Sequence, residues 1–150
     1  MTRSVSILMG SEIDREIAKK AETVFEKLGI AFETKVLSSH RNHKELDRYV
    51  EASESDVFIA IAGLSAALPG FVASLTNKPV IGVPVSGKLN LDSILSIVQL
   101  PSGVPVGTVG LDNGTNAAIL AAEILALSDS ELAKNLQQYR SERAQIAGTR

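Results

Sequence analysis

The chain has 150 residues, a net charge of −2 and no cysteine. This length and the 45% share of hydrophobic residues predict a single domain over residues 1–150, whose core needs no disulfide. The missing cysteines exclude thiol catalysis and thiolate metal sites, and the absence of a basic patch predicts no nucleic-acid partner. No apolar segment suits a signal peptide or a bilayer span, so we expect no membrane contact and a cytoplasmic location.

Short apolar runs alternate with segments of helical periodicity along the chain. The apolar runs predict strands over 5–9, 32–37, 57–62, 79–85 and 106–111. The helical periods predict helices over 13–28, 45–52, 91–98, 115–127 and about 129–148. The predicted end signals are Gly29 for the first helix, Asn90 as a cap for the third, Thr115 or Asn116 for the fourth, and Asp129 or Ser130 for the last. The prolines of the fourth strand favour a strand end or a sheet edge.

This alternation predicts an α/β fold, a flavodoxin-like three-layer αβα sandwich around a parallel sheet. In such folds a ligand binds outside the carboxyl ends of the strands. Polar or glycine-rich segments follow all five predicted strands, at 10–11, 38–41, 63–65, 86–88 and 112–114. We therefore expect the functional groups to meet at one rim of the sheet.

The predicted helix over 115–127 is apolar on nearly every side. Such a helix must be covered on more than one face, which favours an oligomer. The alternative is that the C-terminal helix of the same chain covers it.

Gly10, Ser11 and Asp14 join the first strand to the first helix. A glycine turn before a helix N-terminus suits an anion, and Asp14 could accept ribose hydroxyls. The alternative is a capping role for Ser11 and Asp14, and spacing alone favours that alternative.

Ser38, His40 and Arg41 follow the second strand. Arg41 suits bidentate recognition of phosphate or carboxylate, and His40 can transfer a proton near neutral pH. The alternative is a solvated loop. His40 and His43 have no third ligand to complete a metal site, so we predict no metal.

The segment over 62–70 follows the third strand, and its small residues would let a flat ligand approach the backbone. Its amides could hold a carboxylate or CO2, although a tight strand–helix junction would use the same residues. The segments over 86–90 and 99–105 are predicted as loops that could close over a site. A phosphoacceptor receiver domain needs acidic residues at the ends of strands one and three, and this chain has Gly10-Ser11 and Gly63 there. Scarce aromatic residues argue against a flavin carrier.

Several segments together resemble the PurE family over nearly the whole chain. Met9-Gly10-Ser11-x-x-Asp14 is similar to the family's MGS-x-x-D motif, and Ser38-Ser39-His40-Arg41 to its SAHR motif. The segments over 61–70, 79–85 and 91–106 and the start of the helix at 116–118 are similar as well.

The resemblance implies a flavodoxin-like subunit of a homo-octamer, with sites built from more than one chain and the helix over about 129–148 packing on a neighbour. It implies interconversion of N5-carboxyaminoimidazole ribonucleotide and 4-carboxy-5-aminoimidazole ribonucleotide through CO2, without cofactor or metal. It also implies that His40 is the general acid–base and that Ser11, Asp14 and Arg41 bind the ribose phosphate. The remaining substrate-binding residues are expected to be Gly10, Ser38, Gly63, Ser65, Ala67 and Leu68.

Two departures from the family pattern leave alternatives open. Ala67 stands where mutase members usually carry histidine, and Ser65 with Ala67 is partly similar to the branch that carboxylates aminoimidazole ribonucleotide directly. That branch usually has lysine at the position of Arg41 and arginine at the position of Leu64. His43 lies in place of the usual proline and could partly compensate for Ala67. The mutase is favoured, and the alternatives are the direct carboxylase and a non-catalytic nucleotide-binding module.

Overall fold

A computed structural model describes residues 4–148 of the chain, so residues 1–3 and 149–150 of the predicted domain lie outside the described residues. Strands and helices alternate along the described part as predicted. The strands are β1 (Ser4–Met9), β2 (Ala31–Val36), β3 (Val57–Ala62), β4 (Val80–Pro84) and β5 (Gly107–Thr108). The helices are α1 (Arg15–Leu28), α2 (His43–Ala52), α3 (Leu68–Leu75), α4 (Asn90–Val98), α5 (Gly114–Ala126) and α6 (Ser130–Ala147).

The five strands form one parallel sheet in the order β2-β1-β3-β4-β5. The chain moves outward in one direction from β1 to β2 and in the other from β3 to β5, so the order reverses between β1 and β3. This doubly wound topology confirms the predicted flavodoxin-like fold.

Two apolar layers cover the faces of the sheet. Val5, Ile7 and Met9 of β1 pack with α1, α5 and α6, whereas Leu8 packs on the opposite face with α2, α3 and α4. This division follows from the alternation of side chains along a strand. β3 is apolar at every position and fully covered, as expected for the centre of a parallel sheet.

β2 is an edge strand, since its hydrogen-bonded neighbour in the sheet is β1. Glu33 and Lys35 both lie exposed on it, and their carboxylate and ammonium groups are 2.7 Å apart. The strand that closes one side of the sheet therefore carries charge on its outer surface.

The prolines of the fourth strand lie at strand ends, one of the two predicted alternatives, because Pro79 precedes β4 and Pro84 ends it; β4 itself lies between β3 and β5. Two element predictions need correction. β5 is shorter than the predicted strand over 106–111. After Thr108 the chain makes only isolated hydrogen bonds to β4, and it then turns at Asp112, whose backbone is in the left-handed conformation. The helix α3 was not predicted: Gly70 lowers the helix propensity of this short segment, whereas Pro69 lies in the first turn, where proline is tolerated.

The helix ends confirm some predicted signals and contradict others. Gly29 ends α1 with φ 68°, the left-handed conformation that favours glycine, and Asp129 caps α6 by accepting from the amides of Glu131 and Leu132. Asn90 does not cap α4, because its side-chain oxygen accepts from the Gly87 amide in the preceding loop. Asn113, rather than Thr115 or Asn116, caps α5.

The apolar helix α5 is covered by its own chain. It packs on α1 on one side, on α6 on another, and on β3 and β4 beneath. The predicted alternative, in which the C-terminal helix of the same chain covers α5, therefore explains the apolar composition of α5 without an oligomer. Among residues 4–148, no helix is both long and apolar enough to cross a bilayer.

Candidate active site

A cleft of about 700 Å³ opens at the carboxyl ends of β1, β3 and β4. It lies at the point where the strand order reverses, which is where doubly wound sheets bind ligands. Every residue predicted for the site lines this cleft: Gly10, Ser11, Asp14, Ser38, His40, Arg41, Gly63, Ser65, Ala67 and Leu68. The structure therefore brings all ten predicted residues together in one cleft.

The junction between β1 and α1 forms one wall. The Gly10 amide donates to the Ile61 carbonyl at 3.1 Å, which anchors the turn to β3. A Cβ atom added to Gly10 would meet nothing of the fold closer than that carbonyl, at 3.9 Å. Internal packing therefore does not require glycine here, whereas close approach of a ligand to the backbone would. Ser11 caps a 3-10 turn over Glu12–Asp14 by accepting from the Ile13 amide at 3.4 Å.

Asp14 is the buried acid of the site. Its residue surface is only 8% exposed. Burial raises the pKa of its carboxyl group above the ordinary value of 3.8, and the nearby carboxylate of Asp112 raises it further. A carboxyl group whose pKa is raised inside a cleft is a candidate functional group, here an acceptor for ligand hydroxyls.

A tight turn at the end of β2 presents His40 and Arg41. The Ser38 hydroxyl accepts from the amides of His40 and Arg41 at 3.3 and 3.2 Å. The Ser38 amide in turn donates to the side-chain oxygen of Asn42 at 2.6 Å, and the Asn42 amide donates to the Ser38 carbonyl at 3.2 Å. Ser38 and Asn42 thus fix the backbone from which both functional side chains project.

Arg41 and His40 are exposed on the cleft wall, in contrast to Asp14. The Arg41 guanidinium donates through Nη2 to the Gly10 carbonyl at 2.6 Å, which ties the β2 turn to the β1 turn and leaves its other N–H groups for an anion. His43 begins α2 and does not line the cleft, so the structure gives no support to the idea that it compensates for Ala67.

The junction between β3 and α3 forms the floor and far wall. Gly63 is close to β4, because an added Cβ would lie 3.2 Å from Cβ of Val85. Leu64 has φ 55° and its side chain is 84% exposed, an unfavourable conformation for a leucine. The Ala67 amide donates to the Ser65 carbonyl at 2.7 Å and closes the turn. Such departures from ordinary backbone and exposure concentrate at functional sites.

Leu68 and Ala67 contribute differently to this wall. The Leu68 side chain is buried in the core at 2% exposure, so its backbone is the group that could face a ligand. Ala67 is exposed and has no polar side chain.

The cleft also contains residues that the site prediction did not include. Ser86 and Gly87, after β4, and the side chain of Ile13, which is 89% exposed, line it as well. The signal for Ser86 and Gly87 was their place at the carboxyl end of a strand, where the sequence suggested only a covering loop. The loop over 99–105 contributes no residue to the cleft.

The arrangement combines four chemical capacities. Arg41 with the 3-10 turn N-terminus suits a phosphate, and Asp14 suits sugar hydroxyls. The imidazole of His40 is a group that can act as a general acid or a general base. The exposed backbone around Gly63 and Ser65 offers amides to a planar or anionic group.

Comparison with known proteins gives full-length similarities. The profile of the family described as AIR carboxylase matches residues 4–146. An N5-carboxyaminoimidazole ribonucleotide mutase of Methanocaldococcus jannaschii is 57% identical over 91% of this chain and 87% of that protein. One from Pyrococcus abyssi is 48% identical over 92% of this chain and 82% of that protein. The crystal structure of Treponema denticola PurE superposes with a TM-score of 0.88 at 32% identity, covering 97% of this chain and 94% of that one.

Proposed function

Because the chain belongs to the AIR carboxylase family, which includes PurE, we propose that it is an N5-carboxyaminoimidazole ribonucleotide mutase of purine biosynthesis. The observation that carries this proposal is the similarity, over nine-tenths of the chain, to proteins bearing that name. The cleft supports it, because it offers groups for a phosphate, a ribose, a proton transfer and a carboxylate.

We assign the nucleotide's ribose phosphate to the wall made by β1 and β2. Arg41 and the Ser11 turn would bind the phosphate, and the buried carboxyl of Asp14 would accept ribose hydroxyls. The Gly10 backbone would lie against the nucleotide, which is consistent with the open space at its Cα. Ser38 acts through the turn that orients His40 and Arg41.

His40 is the proposed general acid and base. Its imidazolium gives a proton to the carbamate nitrogen of the substrate; the nitrogen–carbon bond breaks with its electron pair going to nitrogen, and CO2 is released. The aminoimidazole ring carbon, which is enamine-like, then attacks CO2 and forms a carbon–carbon bond. The imidazole finally takes the proton from that ring carbon, so the proton and the carboxyl group both balance.

Retention of CO2 is the other requirement of this mechanism. A pocket that excludes water keeps CO2 beside the ring and raises its effective concentration. The backbone of Gly63, Ser65, Ala67 and Leu68 is the proposed cradle for the migrating carboxyl group. The apolar side chains of Ile13 and Leu64 stand at the same cleft and would exclude water from it once covered.

The test is a pair of assays on the pure protein without ATP or added metal. One supplies N5-carboxyaminoimidazole ribonucleotide, and the other supplies aminoimidazole ribonucleotide with bicarbonate. We expect much faster formation of the 4-carboxy product from the first. Efficient product formation from the second alone would instead establish the direct carboxylase, an alternative that the non-histidine pair Ser65 and Ala67 on the cleft wall favours. No product from either would refute both activities.

The role of His40 has a matched control in His43, which is the same residue type three positions on and outside the cleft. We expect His40→Asn to lose at least about a hundredfold in kcat, the usual scale of general acid–base catalysis, while His43→Asn keeps kcat. Full activity of His40→Asn would contradict the proton-transfer role.

We also propose that the chain acts in the cytoplasm as a homo-octamer. Support comes from an apolar stripe on α4, where Leu91, Leu95 and Val98 are between 47% and 66% exposed at helical spacing. The first half of α6 packs on its own chain through Leu132, Leu136 and Tyr139, whereas its second half is exposed and is the part proposed to reach a neighbour. Light scattering that gives a monomer would refute the octamer and the shared site.

A further inference from the structure

Ser86 lies at the carboxyl end of β4 and lines the cleft. Both of its hydrogen-bond donors are directed at one carboxylate: its amide donates to Asp112 Oδ1 at 2.8 Å, and its hydroxyl donates to Asp112 Oδ2 at 2.5 Å. Hydrogen bonds to a charged acceptor are short and strong, so this pair is a fixed unit.

The backbone of Asp112 is itself held by two further hydrogen bonds. It has φ 56°, a left-handed conformation that an aspartate tolerates better than most residues. Its amide donates to the Pro84 carbonyl at 2.9 Å, and its carbonyl accepts from Lys20 Nζ of α1 at 3.1 Å. The carboxylate is therefore placed by β4 and α1 together, and its strained backbone is supported by the surroundings.

The direction of these bonds decides what Ser86 can offer a ligand. A hydroxyl has one proton and two lone pairs. Since the proton is committed to Asp112, Ser86 Oγ faces the cleft as an acceptor. The complementary ligand group is an N–H donor, and a carboxylate or phosphate oxygen would be repelled.

We propose that Ser86 accepts a hydrogen bond from the exocyclic amine of the bound aminoimidazole nucleotide, and that Asp112 is the positioning residue that enforces this polarity. The inference rests on the proposed function, because the amine is the group that carries and then loses the carboxyl. Once CO2 has left, this contact would orient the amine away from it, so that the ring carbon is the nucleophile that CO2 meets.

The test compares two probes, aminoimidazole ribonucleotide and ribose 5-phosphate, by calorimetric titration of the full chain. Ser86→Ala should weaken binding of the first about tenfold, the loss expected for one good hydrogen bond, and leave the second unchanged. Asp112→Asn should weaken binding of aminoimidazole ribonucleotide more than binding of ribose 5-phosphate, because its amide can donate to Ser86 Oγ and reverse the polarity. The double variant should be no weaker than Ser86→Ala, since Asp112 acts through Ser86.

Ser102→Ala is the matched control, an exposed serine in the loop over 99–105 outside the cleft. Thermal midpoints within a degree or two of wild type would establish that the variants fold. If the variants bind both probes more weakly by the same factor, Ser86 and Asp112 have only a structural role and the inference is overturned. Unchanged affinity for the nucleotide would overturn it too. If the wild-type chain binds the nucleotide and converts its carbamate, but Ser86→Ala binds the nucleotide as tightly as wild type, only this inference is overturned. If the wild-type chain neither binds the nucleotide nor converts its carbamate, the proposed function is overturned as well.

Discussion

Three glycine-to-alanine substitutions should destabilise the protein in a graded order that the structure fixes in advance. Gly110 has open space around its Cα and no left-handed backbone, so Gly110→Ala should cost almost nothing. Gly29 has equally open space but φ 68°, so Gly29→Ala should cost about 1–2 kcal/mol for the conformation alone. Gly114 begins α5 where it crosses α1, and an added Cβ would collide with the Ile17 carbonyl oxygen and touch Lys20.

For Gly114→Ala the obstacle is backbone rather than a flexible side chain, so the two helices must separate. Overpacking of a rigid interior costs about 1–3 kcal/mol, and we expect the top of that range or more. Urea unfolding followed by circular dichroism gives the free energy of unfolding for all three variants at constant m-value. A Gly114→Ala loss no larger than that of Gly110→Ala would refute the inference that the α1–α5 crossing depends on this glycine.

The remaining predictions concern single polar groups. Burial and the neighbouring Asp112 raise the pKa of Asp14, so the folded state binds a proton more tightly than the unfolded state and loses stability as pH rises through the raised pKa. Asp14→Asn should therefore gain stability at pH 7, and the gain should shrink toward pH 4; a pH-independent difference in urea titrations would contradict this. Tyr49→Phe removes bonds of 2.7 Å to Ser6 and 2.9 Å to Glu33 and should cost about 1 kcal/mol in the same assay, whereas a neutral result would show that water replaces them. Asn42→Ala frees the Ser38 amide and should lower kcat/KM about tenfold, and wild-type kinetics would disprove its role in the turn.

Much of the fold could be predicted because burial and periodicity coincide in this chain. The run over 57–62 is apolar throughout and lies at the centre of the sheet, and Gly29 ends α1 in the left-handed conformation expected of it. The failures come from tertiary contacts that override local signals. Gly70 argues against a helix, yet it lies inside α3, where Leu100 packs so closely that an added Cβ would lie 2.7 Å from its Cδ2.

The sequence allowed us to predict which loops form the candidate site, but not which side-chain contacts those loops make. The rule about strand ends brought Gly10, His40, Arg41 and Gly63 to one cleft without any knowledge of side-chain geometry. The link between Asp112 and Ser86 could not be read in advance, because it joins residues 26 positions apart through a left-handed turn. The function of Asn42 in closing the Ser38 turn likewise depends on an atomic contact.

The open side of β2 bears on how this protein behaves at high concentration. An edge strand with free amides and carbonyls is a template on which another chain can add a strand, and stacked additions lead to fibrils. Glu33 and Lys35 put opposite charges on this edge, and a second copy aligned in register would meet the same charges face to face. The two opposite charges on this edge strand thus disfavour the in-register addition of a second copy of the chain.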